Sequence, residues 1–158
     1  MTPANPIEAL PLARAMREWL WLYPIVETAH IVGFAILVGS VVMFDLRVLG
    51  LSKAISVRAL SRHLLPWSLA ALALIVPTGF LMFTAHAADF LANRTFQLKM
   101  ALLMAAGINA VIFRTIPYAS VNEWDTGVSA PLVAQLSVVA SIAIWVAIIT
   151  CGRMLAYT

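Results

Sequence analysis

Four long apolar stretches constrain this chain more than any other feature of its sequence. Two of them, 64–85 and 131–152, contain no charged residue. A helix needs about 20 largely apolar residues to cross the hydrocarbon core of a bilayer. The sequence therefore predicts four transmembrane helices, with spans at about 24–46, 64–88, 97–116 and 131–152.

The composition indicates the same class of protein. Of the 158 residues, 63% are hydrophobic and 11% are charged, whereas soluble domains average about 45–50% apolar and about 25% charged residues. The loops are too short for a second folded unit, so we expect residues 1–158 to form one all-α membrane bundle surrounded by the lipid bilayer. The cations are scattered, which argues against a nucleic-acid partner. With Cys151 as its single cysteine, the chain has no CxxCH motif for covalent haem.

Residues 1–18 precede the first span and lack the continuous apolar run of a secretory signal. Their apolar side chains form a stripe opposite Glu8, Arg14 and Arg17, which predicts a short helix lying on the membrane surface. The stripe consists of Ile7, Leu10, Leu12, Ala15 and Leu20. Four cations lie close together in and beside the first loop, and the positive-inside rule then favours a cytoplasmic first loop and termini on the outer face.

Ionisable side chains inside a membrane are costly and mark candidate functional sites. Counted at about 1.5 Å per residue, His30 lies about 7 Å from the bilayer centre, Lys99 about 11 Å and His86 about 15 Å, all on one side. Glu27 precedes His30 by three residues, which suits a hydrogen bond that fixes the imidazole tautomer. We therefore predict a cofactor site with His30 as ligand or proton carrier. His86, Lys99 and Glu27 complete the predicted site, and His30 and His86 are its candidate metal ligands.

Structural interpretations of the same residues stay open. His86 stands where a helix leaves the hydrocarbon, and the helix dipole favours an acid such as Glu27 in a first turn whatever the function. On the opposite side of the membrane, a charged rim at headgroup level is the simplest prediction. That rim consists of Asp45, Arg47, Arg58, Arg62, His63 and Arg114.

Three sequence segments carry a resemblance. The stretches WLYPIVETAHIVGFAILVGSVVMFDLRVLGL, PTGFLMF and FQLKMALLMAAGINAVIF, within about residues 20–114, resemble a family of uncharacterised bacterial four-span membrane proteins. More distantly, an early histidine in the first span and a lysine opening the third resemble CopD-type copper-resistance domains and HemJ-type protoporphyrinogen oxidases. The HemJ likeness implies a b-type haem, with His30 and Lys99 in the places of that family's histidine and lysine. The CopD likeness implies copper handling near His30.

Three functional hypotheses follow. The first is a haem b protein of the bacterial inner membrane, engaged in electron transfer or in quinone- or porphyrin-linked oxidation as a haem-dependent oxidoreductase, with a membrane redox partner or quinone. The second is passage of copper or another small solute, which would use His30 with Met100 and Met104, the two methionines at helical spacing. The third is an accessory subunit without a cofactor, which binds a partner helix or a second copy of the chain.

Overall fold

The computed structural model describes residues 6–157, in which there is no β-strand. Four helices in this range are long and apolar enough to cross a membrane. The protein is therefore a multi-pass membrane protein with an all-α fold, as predicted. The elements are α1 (Pro11–Glu18), α2 (Leu22–Val48), α3 (Val57–Ala85), α4 (Ala87–Ala92), α5 (Arg94–Thr115), a 3₁₀ helix (Pro117–Glu123) and α6 (Leu132–Met154).

The backbones of the four long helices pack most closely in a row, and the two outer helices approach each other through side chains. α2 lies along α3, α5 lies along α6, and the two pairs meet where α2 contacts α6. The backbones of α3 and α5 make little direct contact, so these two helices form the edges of the row. Near the second loop the edges are joined by stacked aromatic rings, with centroids 5.8 Å apart for Phe83 and Phe96 and 5.2 Å apart for Phe90 and Phe96.

Apolar contacts in the membrane interior hold the row together. Leu37, Ala71, Trp145 and Ile148 form a buried cluster shared by α2, α3 and α6. Most other large apolar side chains of the four helices are exposed. Such helices need a lipid solvent, because water would meet these side chains around most of their circumference.

The helix ends differ from the predicted spans where local capping decides them. α3 begins at Val57, about two turns before the predicted start, because the Ser56 hydroxyl accepts a hydrogen bond from the Ala59 N–H at 3.0 Å. It ends at Ala85, so that His86 lies in the break between α3 and α4. The Asn93 side chain caps α5 in the same way as Ser56 caps α3.

The predicted surface helix is present as α1, but a different face of it packs against the bundle. Its buried residues are Ala13 and Met16, whereas Leu10, Leu12 and Leu20 of the predicted stripe are exposed. The Arg17 guanidinium donates to the Ala85 carbonyl at 3.0 Å. A carboxylate oxygen of Glu8 accepts from the Ala88 N–H at 2.8 Å. These polar contacts attach α1 to the end of α3.

The prediction of a solvated charged rim is wrong for two of its residues. Arg47 is only 4% exposed, and its guanidinium donates to the carbonyls of Ile55 at 2.5 Å, Lys53 at 3.0 Å and Asp125 at 3.0 Å. Asp45 is also 4% exposed. The reason is that the first loop and the segment before α6 fold over the end of α2, and a helix-by-helix estimate of depth does not include loops. Arg58, Arg62, His63 and Arg114 are exposed, as predicted.

Candidate functional site

The deepest histidine is hydrogen-bonded to a neighbouring helix. The His30 Nδ1 atom on α2 lies 3.0 Å from the Thr78 Oγ1 atom on α3. The same hydroxyl oxygen lies 2.6 Å from the Leu74 carbonyl and 3.1 Å from the Ile75 carbonyl. Carbonyl oxygens only accept, so the single hydroxyl proton of Thr78 points to them and the hydroxyl accepts from the ring. We assign the proton of the neutral imidazole to Nδ1 on this basis, which leaves the lone pair on Nε2.

The lack of a side chain at Gly79 leaves room for the His30 imidazole ring against α3. A Cβ atom added at position 79 would lie 3.0 Å from His30 Cε1 and 3.5 Å from Nδ1. An alanine at this position would require the ring to shift by a few tenths of an ångström. Thr78 and Gly79 therefore both position the ring. Thr78 accepts its hydrogen bond, and Gly79 leaves the space in which the ring lies.

Lys99 approaches the same region from α5. Its ammonium nitrogen would be 3.7 Å from a Cβ added at Gly152, and it interacts with Cys151, so the side chain lies against α6. It is also within electrostatic range of the His30 ring. Across residues 6–157, this ammonium donates no hydrogen bond and joins no ion pair. A partly buried ammonium without an acceptor is suited to an anionic ligand.

The other two predicted site residues take different positions. Glu27 is exposed and, within the described chain, makes no hydrogen bond to His30, so Thr78 occupies the role predicted for Glu27. The His86 ring packs edge-on against Tyr23 with centroids 6.3 Å apart, and its Nδ1 lies 3.9 Å from an Asp89 carboxylate oxygen. Tyr23 precedes His30 by seven residues, or about 10 Å along a helix. Of these residues, Lys99 thus interacts electrostatically with His30, whereas His86 lies in the break between α3 and α4.

The donor atoms limit which metals this region can bind. In residues 6–157, no group of three or more His, Cys, Asp or Glu side chains converges on a point. Met100 and Met104 are 46% and 69% exposed. A copper site built from protein side chains alone would need more converging ligands than these. A cofactor that brings its own donor atoms, such as a porphyrin, needs only one or two from the protein.

Asp45 is a buried polar group that the sequence reasoning assigned to the surface. Its Oδ2 atom has no hydrogen-bond partner, and Ser141 on α6 is the side chain that interacts with its carboxyl group. One turn along α6, the Ser137 hydroxyl donates to Asn109 Oδ1 at 2.9 Å, and Asn109 Nδ2 donates to the Ser137 carbonyl at 3.0 Å. Ser137 and Ser141 are four residues apart and share one face of α6, and this polar spacing in an apolar span was the sequence signal for these contacts.

A comparison with known families covers the same four helices. Residues 22–158 match the family described as a family of unknown function, DUF6644. The chain belongs to this family. The match begins at Leu22, where α2 begins, and it covers the four long helices. No curated protein and no solved structure matches this DUF6644 protein. Its likeness to CopD-type and HemJ-type proteins stays a prediction.

Proposed function

We propose that this DUF6644 protein binds a b-type haem in the membrane through His30 and serves in electron transfer. The observation that carries the proposal is the hydrogen bond from His30 Nδ1 to Thr78 Oγ1 at 3.0 Å. It directs the imidazole lone pair to Nε2, the arrangement in which a histidine serves as an axial ligand, while the other ring nitrogen is held by its own partner. When bound, a haem supplies one-electron redox chemistry.

Lys99 is the second residue that supports the proposal. Its ammonium has no acceptor in the described chain and lies within electrostatic range of His30. Haem carries two propionate carboxylates, and an ammonium in a medium of low dielectric constant pairs strongly with a carboxylate. We assign Lys99 the role of propionate partner or second axial ligand.

His86 is not part of the proposed site. The His86 ring packs against Tyr23, about two turns of α2 away from His30, so we do not place it among the residues that would hold the haem. A haem held by His30 and His86 together does not fit this arrangement. The proposal is therefore a haem with a single histidine ligand.

The absorption spectrum of the detergent-purified full-length protein, expressed with excess haem, tests the proposal. We expect a Soret band that shifts on reduction with dithionite and that is lost in His30→Ala. His63→Ala is the matched control, because His63 is an exposed histidine near the other end of α3. His86→Ala should keep the band, and Lys99→Met should weaken or shift it.

Two results would overturn the proposal. One is a protein that stays colourless although it is folded, as judged by its elution volume and helical circular dichroism. The other is a Soret band of equal intensity in wild-type protein and in His30→Ala.

A further inference from the structure

A cationic pocket lies at the opposite end of the bundle from His30. It has a volume of about 360 Å³ and lies between the start of α3, the end of α5 and the 3₁₀ helix. Three guanidinium groups line it, together with polar side chains, and no carboxylate does. The polar lining residues are Arg58, Ser61, Arg62, Arg114, Tyr118 and Asn122. Three cations around one pocket repel each other unless an anion lies between them.

Two of the arginines are held in position by side chains that carry no charge. The Arg58 Nη1 atom donates to the Asn122 amide oxygen at 2.8 Å, and the Arg114 guanidinium lies 4.4 Å from the centre of the Tyr118 ring. Arg58 also has Asp125 near its backbone, since the Asp125 carboxylate accepts from the Arg58 N–H at 2.8 Å. In the part of the chain that the structure describes, Arg62 and Arg114 have no acidic partner.

An apolar groove runs along α5 toward this pocket. Its volume is about 390 Å³. At its floor lies Gly107, where an added Cβ atom would meet nothing within 4 Å. The groove is lined by Leu103, Met104, Gly107, Ile108, Val111 and Ile112.

The spacing along α5 places the groove and one arginine of the pocket on the same face of this helix. Leu103, Gly107 and Arg114 are separated by four and seven residues, so they share one face of the helix. The groove-lining residues from Leu103 to Ile112 span about 14 Å at about 1.5 Å per residue, and Arg114 lies two residues beyond them. One leaflet of a bilayer has a hydrocarbon thickness of about 15 Å, half of the total. The groove therefore has the length of one acyl chain that starts at the headgroup level.

The level of the arginines is also that of lipid headgroups. α3 has 29 residues, which corresponds to about 43 Å, so its first turn extends beyond a hydrocarbon core of about 30 Å. Arg58 lies in that first turn, Arg62 lies one turn further, and Arg114 lies in the last turn of α5. Guanidinium groups bind phosphate oxygens through paired hydrogen bonds.

We propose that this combined site binds an anionic phospholipid, with its phosphate among Arg58, Arg62 and Arg114 and one acyl chain in the groove over Gly107. The charge of the pocket selects lipids with a net negative headgroup over zwitterionic ones. The groove distinguishes a lipid from free phosphate. The site is separate from His30 and does not depend on a haem.

Thermal unfolding of the delipidated full-length protein in a neutral detergent tests the proposal. The added probes are dioleoyl phosphatidylglycerol, dioleoyl phosphatidylcholine and sodium phosphate. We expect the anionic lipid to raise the Tm by several degrees and the other two to have little effect. In Arg62→Gln/Arg114→Gln we expect the apparent affinity for the anionic lipid to fall at least tenfold.

Two matched controls separate the headgroup from the acyl chain. Arg94→Gln/Arg153→Gln removes two exposed arginines at the other end of the bundle and should retain the lipid effect. Gly107→Leu fills the groove and should weaken binding, whereas Gly39→Leu should not, although Gly39 is an equally open glycine in α2. If the double variant at Arg62 and Arg114 does not fold, Arg62→Gln alone is used, since Arg62 is exposed.

Three outcomes would overturn the proposal. Equal stabilisation by the anionic and zwitterionic lipids would exclude a site selective for negative headgroups. Equal stabilisation by sodium phosphate, with Gly107→Leu unchanged, would identify a site for free phosphate. Equal loss of the lipid effect in the two double arginine variants would mean that the net charge of the whole protein, and not this pocket, attracts the lipid.

Discussion

The two ends of the bundle treat their polar groups differently. At the end formed by the first loop, Arg47 is buried and each of its three hydrogen bonds goes to a backbone carbonyl. At the other end, the His30 ring is bonded through Nδ1 to Thr78, and among residues 6–157 Lys99 has no acceptor. Polar groups that satisfy one another stabilise a fold, and polar groups left without partners in a low dielectric medium are costly unless they bind something. We therefore interpret the first-loop network as structural and keep the His30 region as the candidate functional site.

The largest effect on stability is expected at the first-loop end of the bundle. Arg47→Met should lower the free energy of unfolding by about 3 kcal/mol, because it leaves three backbone carbonyls without their donor and opens the contact between the first loop and the segment before α6. Denaturant or thermal unfolding in detergent micelles measures this. Arg94→Met, at an exposed arginine outside the proposed lipid site, is the control and should change stability by less than about 0.5 kcal/mol. Equal effects of the two substitutions would show that the Arg47 hydrogen bonds are not structural.

At the His30 end of the bundle we expect a smaller effect on stability, together with an effect on the proposed function. Thr78→Val removes the acceptor for His30 Nδ1 and should lower stability by about 1–2 kcal/mol. On the proposed function it should also reduce the haem bound per protein several-fold, while Thr78→Ser keeps both properties. Thr150→Val is the matched control, because the exposed Thr150 makes only the local bond to the Val146 carbonyl. A haem content unchanged in Thr78→Val would contradict the role given to Thr78.

The pH dependence of stability tests the contribution of the Asp125 carboxylate, which lies at the first-loop end of the bundle. The hydrogen bond from the Arg58 backbone N–H lowers the pKa of Asp125 below its usual value, and the Ser56 hydroxyl and the charges of Arg58 and Arg47 act in the same direction. A lowered pKa in the folded state contributes stability above the unfolded value of about 3.9, and this contribution is lost as the pH falls through the folded value. Asp125→Asn should therefore cost about 1 kcal/mol at pH 7, discounted for solvent exposure.

The measurement is a comparison of Asp125→Asn with wild-type protein between pH 7 and pH 2. The difference in unfolding free energy should stay constant down to about pH 4 and then shrink. A difference that persists unchanged at the lowest pH would show that the carboxylate charge does not contribute.

Comparing these two ends also shows what the sequence alone can predict. The four spans follow from apolar length, and the depth of His30 follows from counting residues along one helix. Its partner Thr78 is 48 positions away, and only the register of α2 against α3 brings them together. Glu27 was the expected partner because local spacing is all that a single sequence provides. The contact between Arg47 and Asp125 could not be predicted for the same reason, because it depends on the path of loops that have no sequence periodicity.

The smallest expected effect on stability compares two aspartates at the first-loop end of the bundle, Asp45 and Asp125. In the described chain, Asp45 Oδ2 is the buried side-chain oxygen or nitrogen atom that lacks a hydrogen-bond partner. Asp45→Asn keeps the shape and removes the charge, and we expect stability to rise by about 0.5 kcal/mol, because an unpaired buried carboxylate is more costly than an amide. The same Asp to Asn change at Asp125 should have the opposite sign. A loss of stability in Asp45→Asn would mean that the contact of this carboxylate with Ser141 on α6 outweighs the cost of its burial.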